Sequence, residues 1–98
     1  MQPRDKYKAL VPIVHRILLE HWDPIGVNEA PEAQDEYDSY VPGVIALLIN
    51  GSPAETIAAH LGRIVVEMIG LRPNLERDMN VADQLLSAAK DRLEGGGW

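Results

Sequence analysis

A chain of 98 residues with no cysteine has room for one hydrophobic core and excludes disulfides, thiolate metal sites and a cysteine nucleophile. Its formal net charge of −6 argues against nucleic acid as a partner, because phosphate binding depends on clustered Lys and Arg. The polar opening MQPRDKYKAL and the lack of an apolar run of about 18 residues lead us to expect no secretory signal, no membrane span and a cytoplasmic protein.

Tyr7, Leu10, Val11, Val14, Leu18 and His21 or Trp22 recur at intervals of three and four, the period of a helix with one buried face. The spacing predicts a first helix over 5–22. Pro12 either kinks it or marks its true start, since proline removes an N–H and collides with the carbonyl four residues back. Asp23 must end it, because the residue before Pro24 is pushed out of helical geometry.

From Glu20 to Asp38 the sequence EHWDPIGVNEAPEAQDEYD carries seven carboxylates and no Lys or Arg. Turn residues at Gly26, Asn28 and Pro31 predict irregular backbone to about residue 34. Trp22, Asp23, Pro24 and Gly26 read as a structural anchor for this loop. The indole would be buried, and the Asp23 carboxylate would accept N–H groups two or three residues on.

A second helix is expected over 37–49 from Tyr37, Tyr40, Val41, Val44, Leu47 and Leu48, with Asp38 or Ser39 as cap, Pro42 in the first turn and Asn50-Gly51 as the stop. No charge occurs from Ser39 to Ala54, so this segment should be central or covered by a second copy in a homodimer formed through helix two or three. Tyr7, Val11, Pro12, Val14 and Leu18 recur as Tyr37, Val41, Pro42, Val44 and Leu48. Similar packing demands explain the echo better than a repeat array, which needs more than two copies.

The third helix, over 53–69, would be capped by Ser52 with Pro53 at its first position and Glu55 completing a capping box. Thr56, His60, Arg63 and Glu67 form one narrow polar stripe, and Ile57, Leu61, Ile64, Val65, Met68 and Ile69 are expected to be buried. Ala54, Ala58 and Gly62 step along one side and would let another helix approach closely. Gly70 and Pro73 end this helix, and a polar connector carrying Glu76, Arg77 and Asp78 leads to Asn80. Asn80 with Asp83 predicts the start of a fourth helix over 80–93, burying Val81, Leu85, Leu86, Ala89 and Leu93. Gly95 to Gly97 end it, and residues 94–98 are expected to be a mobile tail. Nothing alternates with period two. The expectation is all-α: a single domain, a compact bundle of about four helices with a long acidic loop between the first two.

His15, His21 and His60 with abundant acids could in principle ligate zinc or iron. A separation of six positions places His15 and His21 roughly 120° apart on a helix, and no Glu-x-x-His pair occurs, so no metal and no cofactor is expected. Asp23, Glu29, Asp35, Glu36 and Asp38 lie near His21, Tyr37 and Tyr40 in the chain, yet no nucleophile motif, phosphate-cradling loop or dinucleotide fingerprint accompanies them. The favoured function is a non-enzymatic protein-binding module, immunity-like or antitoxin-like, that presents Asp23, Glu29, Glu32, Asp35, Glu36 and Asp38 to a basic protein. The alternative is a small enzyme or ligand binder with a pocket between the 20–38 loop and helix two, where His21, Asp23 and Tyr37 would converge.

Trp22-Asp23-Pro24-Ile25-Gly26, followed by an apolar helix, the Asn50-Gly51-Ser52-Pro53-Ala54-Glu55 junction and another apolar helix, resembles a family of small uncharacterised bacterial helical proteins built around a Trp-Asp-Pro-x-Gly loop. The resemblance spans about residues 10 to 90 and departs from the pattern at Ile25, where some members would carry an aromatic. It implies an all-helical fold and a bacterial source. The family being a domain of unknown function, it transfers no catalytic or binding role to any residue here.

Overall fold

The computed structural model describes residues 3–24, 26 and 37–94. Among them the chain is all-α, with four helices and no strand. Helix α1 runs Pro3–Ile17 and continues through a π turn at Leu18–Trp22; a 3-10 turn at Asp38–Tyr40 leads into α2, Val41–Ile49. Helix α3, Ala54–Arg63, likewise widens into a π turn at Ile64–Ile69, and α4 spans Leu75–Glu94. Helix α1 packs on α2 and α4, and α3 packs on α4. Leu10, Val14, Leu18, Val44, Ile45, Ile57, Leu61, Val65, Val81 and Leu85 form the shared core.

Pro12 lies inside α1, which begins well before it. Its ring is exposed and borders the cleft between α1 and the start of α2. At the far end of α1 the Asp23 N–H reaches back five residues to the Leu18 carbonyl at 2.9 Å, the bond of a π turn. That wider turn brings Trp22 to the core at 2% exposure and leaves His21 exposed. Asp23 then adopts a left-handed conformation, φ 33° and ψ 59°, which Asp tolerates better than most residues. Its carbonyl accepts the Gly26 N–H at 3.1 Å, closing the turn through Pro24.

Three helix starts differ from the sequence expectation. Helix α2 begins at Val41 rather than residue 37, with Tyr40 at the N-cap and no side-chain cap bond, so neither Asp38 nor Ser39 caps it. Ser52 does not cap α3. Its N–H bonds the Leu47 carbonyl at 3.0 Å while Gly51, at φ +74°, bonds Leu48, so both residues belong to a Schellman closure of α2. Pro53 takes the N-cap position without a side-chain cap bond, and its carbonyl receives the Thr56 and Ile57 N–H groups. Helix α4 begins five residues before Asn80, at Leu75. Asn74 is its cap, the side-chain oxygen accepting the Arg77 N–H at 3.0 Å, which satisfies one of the orphan donors of the first turn. The expected connector at 76–78 is therefore helix.

Met68 departs as well: it is 70% exposed rather than buried. A π turn holds more residues per turn than the α-helical period used to place Met68, so the register of the stripe slips after Ile64. The small-residue line behaves as expected at Gly62, where a Cβ would stand 3.4 Å from the Asp78 carboxylate of α4. The side chain of Leu93 and the residues 95–98 expected to form a mobile tail lie outside the described set.

Candidate functional site

Trp22, at the end of α1, donates its indole N–H to Asp78 Oδ1 in α4 at 3.0 Å. Asp78 is 1% exposed and is the buried charged residue of the described core. Burying a carboxylate is tolerable only when it is paired and hydrogen-bonded, and Arg77 completes the arrangement by donating Nε and a terminal nitrogen to the same oxygen at 3.3 and 3.2 Å. Tyr37 and Tyr40 meet the indole edge-on, with ring centroids 5.4 and 6.1 Å away. The Tyr37 hydroxyl donates to Asp23 Oδ1 at 2.7 Å. Six residues from three segments thus share one cluster, in which a single hydrogen bond joins Asp23 to Tyr37, fourteen positions apart in the chain.

Of the six acids expected to form a binding surface, Asp23 and Asp38 are described, whereas Glu29, Glu32, Asp35 and Glu36 lie outside the described residues. Asp23 is engaged with Tyr37. Asp38 accepts His15 Nδ1 at 2.6 Å, with side chains 36% and 55% exposed for the histidine and the acid. The anchor residues Trp22, Asp23, Pro24 and Gly26 sit around the turn described above.

The pocket expected to gather His21, Asp23 and Tyr37 is only partly assembled. Asp23 and Tyr37 meet, but His21 lines a polar groove of about 450 Å³ on the α4 side, with Asn74, Arg77, Asn80 and Gln84. A second, more apolar groove of about 280 Å³ lies between α1 and the start of α2. Val11, Pro12 and His15 face Asp38, Val41 and Pro42 across it. His60 occupies a third position, with its Nε2 3.2 Å from where a Gly43 Cβ would stand. Burial first, and the Arg63 charge second, hold its pKa below the ordinary 6.5. Among the described residues no three His, Asp or Glu side chains are close enough together to hold a metal ion, and no helix is long and apolar enough to cross a membrane.

Asp78 and Arg77 were missed by sequence reasoning, which placed them in a solvated connector. A usable signal exists. Asp78, Val81 or Ala82, Leu85 and Ala89 are spaced at three and four, so the acid lies on the buried stripe of α4, and a buried indole N–H needs an acceptor. The His15 and Asp38 pairing spans 23 positions and has no local signature. Comparison of the chain with protein-family models, curated proteins and solved structures finds no match.

Proposed function

We propose that this chain is a non-enzymatic protein-binding module of the immunity-like or antitoxin-like kind, whose working surface is the acidic stretch 20–38 and whose partner is basic. The observation that supports this reading is the 2.7 Å closure from Tyr37 to Asp23 beside the buried Trp22. Between Asp23 and Tyr37 the sequence carries Glu29, Glu32, Asp35 and Glu36 with no Lys or Arg. Joining the ends of a loop costs entropy that rises with its length, and gathering like charges on it adds repulsion that a basic partner would relieve. A basic partner would be steered toward such a loop, so its association rate should fall as salt rises.

The experiment compares the parent with the variant Glu29→Gln, Glu32→Gln, Asp35→Asn and Glu36→Gln as baits in the source cell extract, followed by association kinetics with each protein retained. The expected result is a basic protein bound by the parent, with the variant associating more slowly and with a flatter salt dependence. Equal rates for parent and variant across ionic strengths would overturn the reading.

A further inference from the structure

The groove between α1 and α2 joins the two halves of the sequence echo. The Val11-Pro12 step of α1 and the Val41-Pro42 step of α2 line it from opposite sides. Both prolines are exposed and Val11 is 37% exposed, so two pyrrolidine rings and a branched side chain present apolar surface to an open cleft. Tyr7 adds an aromatic wall. Apolar lining with a small number of placed polar groups is the usual composition of a small-molecule site.

The polar group is fixed at one end. His15 Nδ1 lies 2.6 Å from Asp38 Oδ1, and a carboxylate oxygen accepts, so Nδ1 is the protonated nitrogen and the tautomer follows from the pairing. Nε2 takes no part in that pairing, and His15 is among the residues that line the groove. In the neutral imidazole Nε2 carries a lone pair and accepts a hydrogen bond. At about 280 Å³ the groove falls just below the roughly 300 to 1,000 Å³ spanned by small-molecule sites, which restricts the occupant to about one ring.

We propose that this groove is a binding site for a small aromatic ring bearing one hydroxyl, the ring lying among Val11, Pro12, Val41 and Pro42 and the phenolic O–H donating to His15 Nε2. Flat apolar faces suit the two prolines and the tyrosine, and a donor suits the ring nitrogen that Asp38 does not engage. Asp38 serves here by holding the imidazole in its tautomer. It is thus a positioning residue of this groove, independent of any role of the acidic stretch in docking a protein.

The test is a titration of the full chain with para-cresol and, separately, toluene, read by amide chemical shifts of Val11, His15 and Val41. Saturable shifts confined to the α1 and α2 faces are expected, with para-cresol binding about five- to tenfold more tightly than toluene, the worth of one hydrogen bond. His15→Leu, which removes the acceptor, should erase that difference while toluene still binds. Val11→Lys, a change at a partly exposed position that leaves the core intact, should abolish both. Equal affinity for the two probes, or shifts that survive Val11→Lys, would overturn the proposal, as would the absence of saturable shifts at millimolar para-cresol.

Discussion

Two aspartates of this protein each meet a nitrogen donor from α1, and they do so in opposite surroundings. Asp78 is 1% exposed and receives the Trp22 indole deep between α1 and α4. The Asp38 side chain is 55% exposed and meets His15 at the rim of an open groove. In the interior the low dielectric makes an unmade hydrogen bond expensive, so the first pair joins elements that must not separate. At the rim water competes for every bond, and an exposed pair of side chains is worth little to the fold. The same residue type therefore acts as a fastening in one place and as a chemical handle in the other.

The largest effect that would break this contrast is at Trp22. Truncating a buried indole to alanine removes core volume and leaves Asp78 short of a donor. Trp22→Ala should lower unfolding free energy by about 3 to 5 kcal/mol, measured by urea titration, and a loss below about 1 kcal/mol would deny the indole its role. Asp78→Ala comes next, at about 3 kcal/mol, because it strands the indole N–H and the half-buried Arg77 together. Gly62→Ala sharpens the interior side of the comparison with a gain. The new Cβ would stand at an ordinary contact distance of 3.4 Å from Asp78, so the helix preference for alanine should dominate and stabilise by up to about 1 kcal/mol. A loss instead would mean that the carboxylate has less room than its position implies.

On the exposed side, Asp38→Asn should change unfolding free energy by less than about 1 kcal/mol, as exposed pairs do. A loss comparable with that of Asp78→Ala would erase the distinction between the two aspartates. The smallest effect concerns His60, whose pKa lies below 6.5 in the folded chain. The unfolded chain binds the proton more readily, so this stabilisation is complete above about pH 6.5 and is lost as pH falls from there through the lowered folded value. His60→Gln should flatten stability between neutral and mildly acidic pH, and an unchanged slope in chemical denaturation across that range would contradict it.

Much of this fold could be read from residue spacing, and the misreadings share a cause. Leu10, Val14 and Leu18 in α1, and Val41, Val44, Ile45 and Leu48 in α2, announce their helices because period and burial coincide. The pattern fails where a helix leaves the α period or hides a charge on its inner face. The π turn after Arg63 carries Met68 outward against its expected place. Helix α4 opens on an exposed Leu75 and a charged first turn, which reads as a connector unless Asn74 is taken as the cap. Of the candidate site, the anchoring part was legible because Trp22 stands next to a turn. The acceptor for its indole was not, since an isolated Asp in a polar run is usually solvated, and the histidine opposite Asp38 comes from a distant part of the chain.

The claim that a single buried hydrogen bond fastens the end of α1, and with it the start of the acidic stretch, to α4 is tested most directly by a double-mutant cycle of Trp22→Phe and Asp78→Asn. Phenylalanine keeps most of the apolar bulk and removes the N–H, while asparagine keeps an acceptor and removes the charge, so the coupling isolates the charge-assisted part of the contact. Measured by urea denaturation followed by circular dichroism, the two changes should be non-additive by about 1 kcal/mol, within the range for residues that share a network. Additivity to within about 0.3 kcal/mol, the behaviour of independent sites, would show that Trp22 and Asp78 are buried side by side without being joined.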